Sequence, residues 1–137
     1  FGTYVWDVGE LSVSVGEEKF QFNVVGSDKD TAVVTLNGDS TESDRYRQFY
    51  SFLLNTTAET VKLDGTPSGD MLAEISLKTQ DGTFERDLQF YAIDDFTCLI
   101  TVDGKSAYTC RKSYLDTLLN NMKIYSDTSK EFTTNWS

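Results

Sequence analysis

The chain contains no histidine at all. That absence removes the side chain that most often serves as a general base near neutral pH or as a transition-metal ligand, and with it histidine-based zinc centres and serine–histidine triads. Basic residues are also scarce. Twelve Lys and Arg against 22 Asp and Glu give a formal charge of −10, which repels phosphate backbones and anionic lipid surfaces, so no nucleic-acid partner is expected. No apolar run approaches the roughly 18 residues that span a bilayer, and the start FGTYVWDVGE lacks the charged and apolar regions of a signal peptide. Motifs are missing too: there is no G-x-S-x-G, S-x-x-K, Walker loop or G-x-G-x-x-G. A single proline and two cysteines complete the list of what is rare.

What is present is enough for a core. A length of 137 residues, 39% hydrophobic and 13% aromatic, fits one globular domain with Phe, Tyr, Leu and Val spread along it. Because the chain opens on Phe1 in strand-like sequence, it reads as an excised part of a longer protein.

Periodicity predicts the elements. Tyr4 to Trp6 reads as a short extended piece. Leu11, Val13 and Val15, then Phe20, Phe22 and Val24, then Ala32, Val34 and Leu36 alternate with polar residues as half-buried strands do, and the third run ends at Asn37-Gly38. Ser43 and Asp44 are candidate N-caps for a helix carrying Tyr46, Phe49, Tyr50 and Leu53 on one stripe. Val61 and Leu63 suggest a short strand, and the segment around Pro67 a connector. The second part repeats the plan: Ala73, Ile75 and Leu77; Phe84, Leu88 and Phe90; Phe96, Cys98, Ile100 and Val102; an Asp103-Gly104 turn; and a helix with Tyr114, Leu115, Leu118, Leu119 and Met122. Val34 to Gly38 matches Ile100 to Gly104, and Leu53-Leu54-Asn55 matches Leu118-Leu119-Asn120. The expected fold is α+β: two tandem β-β-β-α repeats, about residues 10–63 and 71–125, in one domain 1–137 with a C-terminal tail. Antiparallel sheet carries the helices on one face.

Candidate chemistry is thin. Acidic residues such as Asp81, Asp94, Asp95 and Asp103 sit at turns, where bonding to the backbone explains them. Asp28-Lys29-Asp30 starts like a calcium loop, but Val33 and Asp39 stand where glycine and glutamate are required. Asn55 and Asn135 open glycosylation sequons. Cys98, on an apolar strand face, reads as a buried small residue without a disulfide. Cys110, expected where the second helix begins and followed by Arg111 and Lys112, is a candidate reactive thiol. A two-residue turn at Asp103-Gly104 opposes position 98 to 109, which sets the two cysteines on opposite faces unless a bulge intervenes. Trp6, Tyr91, Tyr108 and Trp136 are candidate surface aromatics.

The order DRYRQFYSFLLNTTAE, LDGTPSGDMLAEISLKTQDGT, LQFYAIDDFTCLITVDGKSAYTCRKSYLDTLL resembles the bacterial family called domain of unknown function 4340. The resemblance spans about Val13 to Trp136 and implies repeated α/β units in an extracytoplasmic protein held by one N-terminal membrane helix, often encoded beside ABC transporters. It implies no catalytic residues. The leading expectation is therefore a non-catalytic, membrane-tethered envelope module. It binds a protein or envelope-polymer partner, without cofactor or metal, at sheet edges near Tyr4, Trp6, Val61 and Leu63. Membrane contact would come only through a tether outside this chain. The alternatives are an enzyme or thiol-redox module using Cys110 or a carboxylate pair, and a spacer repeat.

Overall fold

The computed structural model describes residues 5–28, 30–54, 60–61, 70–127 and 129–132. After a 3-10 turn at Val5–Asp7, the first part of the chain gives β1 (Val8–Val15), β2 (Glu18–Val25), β3 (Val33–Leu36), β4 (Asp39–Thr41), α1 (Ser43–Leu54) and β5 (Thr60–Val61). The second gives β6 (Met71–Thr79), β7 (Glu85–Ala92), β8 (Thr97–Val102), β9 (Lys105–Arg111) and α2 (Ser113–Ile124). All described strands join one antiparallel sheet in the order β4-β3-β2-β1-β6-β7-β8-β9-β5. The α+β class and the antiparallel sheet agree with the periodicity. Four strands precede each helix, not three, because the polar strand β4 folds back on β3.

Period-two burial sorts the faces. Leu11, Val13, Phe22, Val24, Val34, Ala73, Ile75, Leu88, Phe90, Cys98 and Ile100 are buried together with the helix residues Tyr46, Phe49, Leu53, Tyr114 and Leu118. Both helices therefore cover one face of the sheet, where each large apolar side chain contributes about 1.5–3 kcal/mol by leaving water. In the first half the filling is aromatic. The Phe22 ring has Phe20, Tyr46, Phe49 and Tyr125 at centroid distances of 5.8, 5.0, 5.8 and 5.6 Å. Tyr114 links the halves, stacked on Phe52 at 5.5 Å and on Phe90 at 6.1 Å.

Buried positions Arg45, Tyr46, Phe49 and Leu53 of α1 keep the same spacing as Tyr114, Leu115, Leu118 and Met122 of α2. That spacing sets Leu53 beside Met122, whereas the sequence match sets it beside Leu118. Two expected core residues are also corrected. Phe84 and Phe96 are 38% and 80% exposed, because both lie in turns just before β7 and β8, where alternation no longer dictates facing.

Trp6 needs a larger correction. It is buried in the 3-10 turn and packs on Tyr46 at 6.0 Å, at the entry to a central strand instead of an edge. Gln80 explains the anchoring: its backbone N–H donates to the Asp7 carbonyl (2.8 Å), and its side-chain amide donates to the carbonyls of Trp6 (2.8 Å) and Gly26 (2.7 Å). Gly9, at the β1 bulge, leaves room for that approach, since a Cβ there would lie 2.9 Å from the Gln80 Cα. Among the described residues no helix is long and apolar enough to cross a membrane.

Candidate interaction site

The edge formed by β4 is built from its hairpin outward. Asn37 and Gly38 adopt φ of 52° and 90°, the paired positive values that reverse a two-residue hairpin and that Asn and Gly tolerate best. The Asn37 side chain then latches the turn to β2. Its Oδ1 accepts from the Gln21 N–H (2.8 Å), its Nδ2 donates to the Lys19 carbonyl (3.1 Å), and its backbone N–H donates to the Gln21 carbonyl (2.8 Å). Held this way, Asp39, Ser40 and Thr41 pair with Leu36, Thr35 and Val34. Asp39 and Ser40 are exposed, and among the described residues no strand pairs with the outer side of β4.

Behind this edge lies a groove of about 400 Å³ whose walls include Asn37, Asp39, Thr41, Glu42, Arg45 and Tyr125. Thr41 Oγ1 and the Tyr125 hydroxyl are 3.0 Å apart, tying β4 to the end of α2. Arg45 is 5% exposed, yet its charge is spent inward. Nε donates to the Tyr125 carbonyl (2.8 Å), Nη2 donates to the carbonyls of Ile124 (2.8 Å) and Asp127 (3.0 Å), and the guanidinium lies 3.9 Å from the Phe132 ring centroid. These carbonyls lie at and just past the end of α2, where the helix dipole is negative, so a cation is well placed there, although the Ile124 and Asp127 carbonyls also accept from the N–H groups of Asp127 (3.0 Å) and Lys130 (3.1 Å). Asp39 and Glu42 therefore leave the groove acidic. Burial pushes the Tyr125 phenol up to about 12, against smaller downward pulls from Thr41 and Arg45.

A second depression, about 340 Å³, lies on the uncovered sheet face beside Ser12, Gln21, Ser76, Arg86 and Asp87. Ser12 hydrogen-bonds Gln21, and Ser76 donates to Asp87 at 2.6 Å. Glu74 accepts from Gln89 (3.0 Å), which pulls its pKa down. The hydrogen bond shared with Asp87, partial burial and the Asp87 charge outweigh that pull, so Glu74 titrates above its ordinary value. This pair lies on an open surface and serves as a strand-to-strand tie. Among the described residues no group of His, Cys, Asp and Glu could hold a metal ion.

Turn carboxylates behave as their positions imply. Asp81 is held down to about 2 by the backbone N–H of Thr83 and the hydroxyls of Thr83 and Thr79. Asp94 accepts from the N–H groups of Phe96 and Thr97, both at 2.8 Å, and Asp28 from the Thr31 N–H at 2.8 Å.

The sequence candidates scatter. Val61 lies in β5 at the opposite sheet edge, paired with Tyr108, while Trp6 is in the core. Tyr91 is half-buried on the uncovered face with its hydroxyl on Gln89 Oε1 (2.7 Å), and Tyr108 is exposed. Tyr4, Leu63, Trp136, the connector around Pro67 and both sequons lie outside the described residues. Cys110 is a correction: it is buried within β9, before α2 begins, and directly opposite Cys98. A bulge between the pairs Ile100–Tyr108 and Thr101–Ser106 shifts the register and puts both thiols on one face. No disulfide joins them. Sequence reasoning missed Arg45, which looks like any solvated helix charge, and the site value of β4, whose polar residues carry no alternation.

No family model, no curated protein and no solved structure matches the chain. The likeness to the domain of unknown function 4340 family therefore stands on the residues that carry it.

Proposed function

We propose that this chain is a non-catalytic interaction module that takes an extended partner segment along β4. In the intact protein it is the extracytoplasmic part of a membrane-tethered bacterial envelope protein, with an ABC transporter as its cellular context, as the family resemblance implies. We also read the two halves, about 10–63 and 71–125, as copies of one β-β-β-β-α unit.

The observation that carries the binding reading is the unequal finish of the two sheet ends. Val34 pairs with Thr41 as Ile100 pairs with Tyr108: both first partners lie three residues before their Asn37-Gly38 or Asp103-Gly104 turn, and the bulge at Ala107 adds one residue after the second turn. Outside Tyr108 comes β5, antiparallel, with Val61 opposite Tyr108 and Thr60 opposite Thr109. Beside Thr41 the equivalent place has no strand among the described residues. β5 is thus an in-chain likeness of what β4 accepts: a short extended strand whose backbone pairs with the open edge. Asp39 and Glu42 favour a segment carrying Lys or Arg.

Selection from a displayed library of short unstructured peptides tests this, followed by hydrogen exchange on the bound protein. The expected result is enrichment of basic, β-prone peptides that slow exchange at Asp39 to Thr41 and bind more weakly as salt rises. Binders that protect only the helix surfaces or β5 would overturn edge recognition. Fractionation of cells making the full-length protein tests the location separately, and a purely cytosolic distribution would remove the envelope part of the reading.

A further inference from the structure

We propose that Cys98 and Cys110 are a modification site: when the chain folds in the presence of a small-molecule disulfide, they are oxidised to an internal disulfide that staples β8 to β9. The two residues are direct cross-strand partners. Their pair belongs to the hydrogen-bonded set, because the Lys112 N–H donates to the Phe96 carbonyl at 2.8 Å and such pairs alternate along an antiparallel ladder. Opposite residues in that set have Cα atoms about 5.5 Å apart, inside the span of about 4.4–6.8 Å that a disulfide bridges. The thiols already interact. A hydrogen bond with Cys110 lowers the pKa of Cys98, burial opposes it, and the Lys112 charge adds to it.

Burial dictates when the reaction occurs. Cys98 and Cys110 are 0% and 1% exposed, so an oxidant reaches them while the chain folds and not afterwards. One cysteine thiolate attacks a sulfur of the oxidant, the oxidant's S–S bond breaks, and one small thiol leaves. The second cysteine thiolate attacks the first cysteine's sulfur in the mixed disulfide and expels the other small thiol. Two protein thiols are oxidised, one small disulfide is reduced, and the two protons end on the released thiols. The bond would fix the strand on which β5 docks, and it depends on the bulge: without the extra residue at Ala107, Cys110 would face the opposite side.

Refolding from urea in a mixture of oxidised and reduced glutathione tests the proposal, with recovery of secondary structure checked by circular dichroism. The expected product is a folded monomer lighter by two hydrogens, with no thiol titrating after renewed denaturation. A folded product in which both thiols still titrate, or in which each carries glutathione, would overturn it, as would disulfides found only between chains. The variants C98A and C110A, refolded identically, should each retain one titratable thiol or one glutathione. If either still lost its thiol within a monomer, the assignment would fail.

Discussion

The two halves share a strand frame and differ in what fills and finishes it. Each has a two-residue turn with a left-handed first residue, Asn37 or Asp103, both at φ 52°. In each the turn side chain accepts from the N–H of the opposite strand at 2.8 Å, Gln21 in one and Asp87 in the other. Above that frame the first half packs the rings of Phe22, Tyr46 and Phe49 with Tyr125 from the end of α2, whereas the second packs Leu88, Ile100, Cys98, Cys110 and Leu118 with the rings of Phe90 and Tyr114. At the rim the second half is closed by β5, while among the described residues no strand covers β4, which is backed by an acidic groove. Backbone pairing and turn chemistry hold the frame constant, and side-chain volume and edge composition are free to diverge. A partner site is expected where they have diverged.

Alkali should break the comparison most completely, because the phenols that burial shifts upward, Tyr46, Tyr50 and Tyr125, gather over the first half. Burial raises the pKa of Tyr46 well above its ordinary value and pushes Tyr50 and Tyr125 up to about 12. An unfolded chain releases these protons near 10. The stability they carry is therefore fully present below about pH 10 and is lost as pH rises toward 12. Unfolding followed by circular dichroism should coincide with the tyrosinate absorbance change of these residues. Phenols that ionise near pH 10 in a still-folded protein would contradict the burial assigned to them.

Next in size is Arg45→Ala. It leaves the carbonyls of Ile124, Tyr125 and Asp127 without their charged donor and uncovers the Phe132 ring. A loss of about 3 kcal/mol in urea unfolding is expected. Arg45→Lys should recover little, since one ammonium cannot reproduce the fork. At the same place in the burial spacing of α2 stands Tyr114, which has no positive charge to offer a helix end. A loss below about 1 kcal/mol would mean that water can serve those carbonyls as well.

The turn latches come third. Asn37→Ala and Asp103→Ala each remove the short polar side chain that makes a positive φ tolerable and delete a latch, for about 2 kcal/mol apiece. Asn37→Gly and Asp103→Gly keep the backbone freedom and should cost about half that. Equal losses in the two halves would sharpen the case for a common frame. A marked inequality would assign part of the Asp103 effect to its ion pair with Arg86, 3.4 Å away.

Much of this frame could be read from the sequence and much of the candidate site could not, for physical reasons. Tyr46, Phe49, Tyr50 and Leu53 announce α1 because a buried helix stripe requires that spacing, and Asn-Gly and Asp-Gly announce the turns because few residues tolerate their φ. The three-residue strand β4 has no apolar alternation, since its place is set by pairing to β3 and not by burial. A two-residue turn alone sets Cys98 and Cys110 on opposite faces, one bulged residue inverts that facing, and nothing in KSAYTC marks the bulge. Trp6 looked like surface from its position near the chain start, yet Gln80, distant in sequence, anchors its backbone inward. Long-range hydrogen bonds of that kind leave no periodic trace.

The smallest effect is the most diagnostic of how the first-half core is satisfied. Tyr46 is 0% exposed, and among the described residues its hydroxyl has no hydrogen-bond partner. Its ring nonetheless sits against Phe22 at 5.0 Å and Trp6 at 6.0 Å. The ring stabilises the core, while the hydroxyl loses water and regains nothing, a cost of about 1–3 kcal/mol for a buried unpaired polar group. Tyr46→Phe keeps the ring and removes the cost, so stability should rise by about 1 kcal/mol, with the alkaline transition displaced upward because one buried phenol is gone. Urea unfolding at neutral pH measures the first, and a pH series the second. A destabilised Y46F would show that the hydroxyl does find a partner in solution, and the aromatic first half would then be held by polar contacts as much as by ring packing.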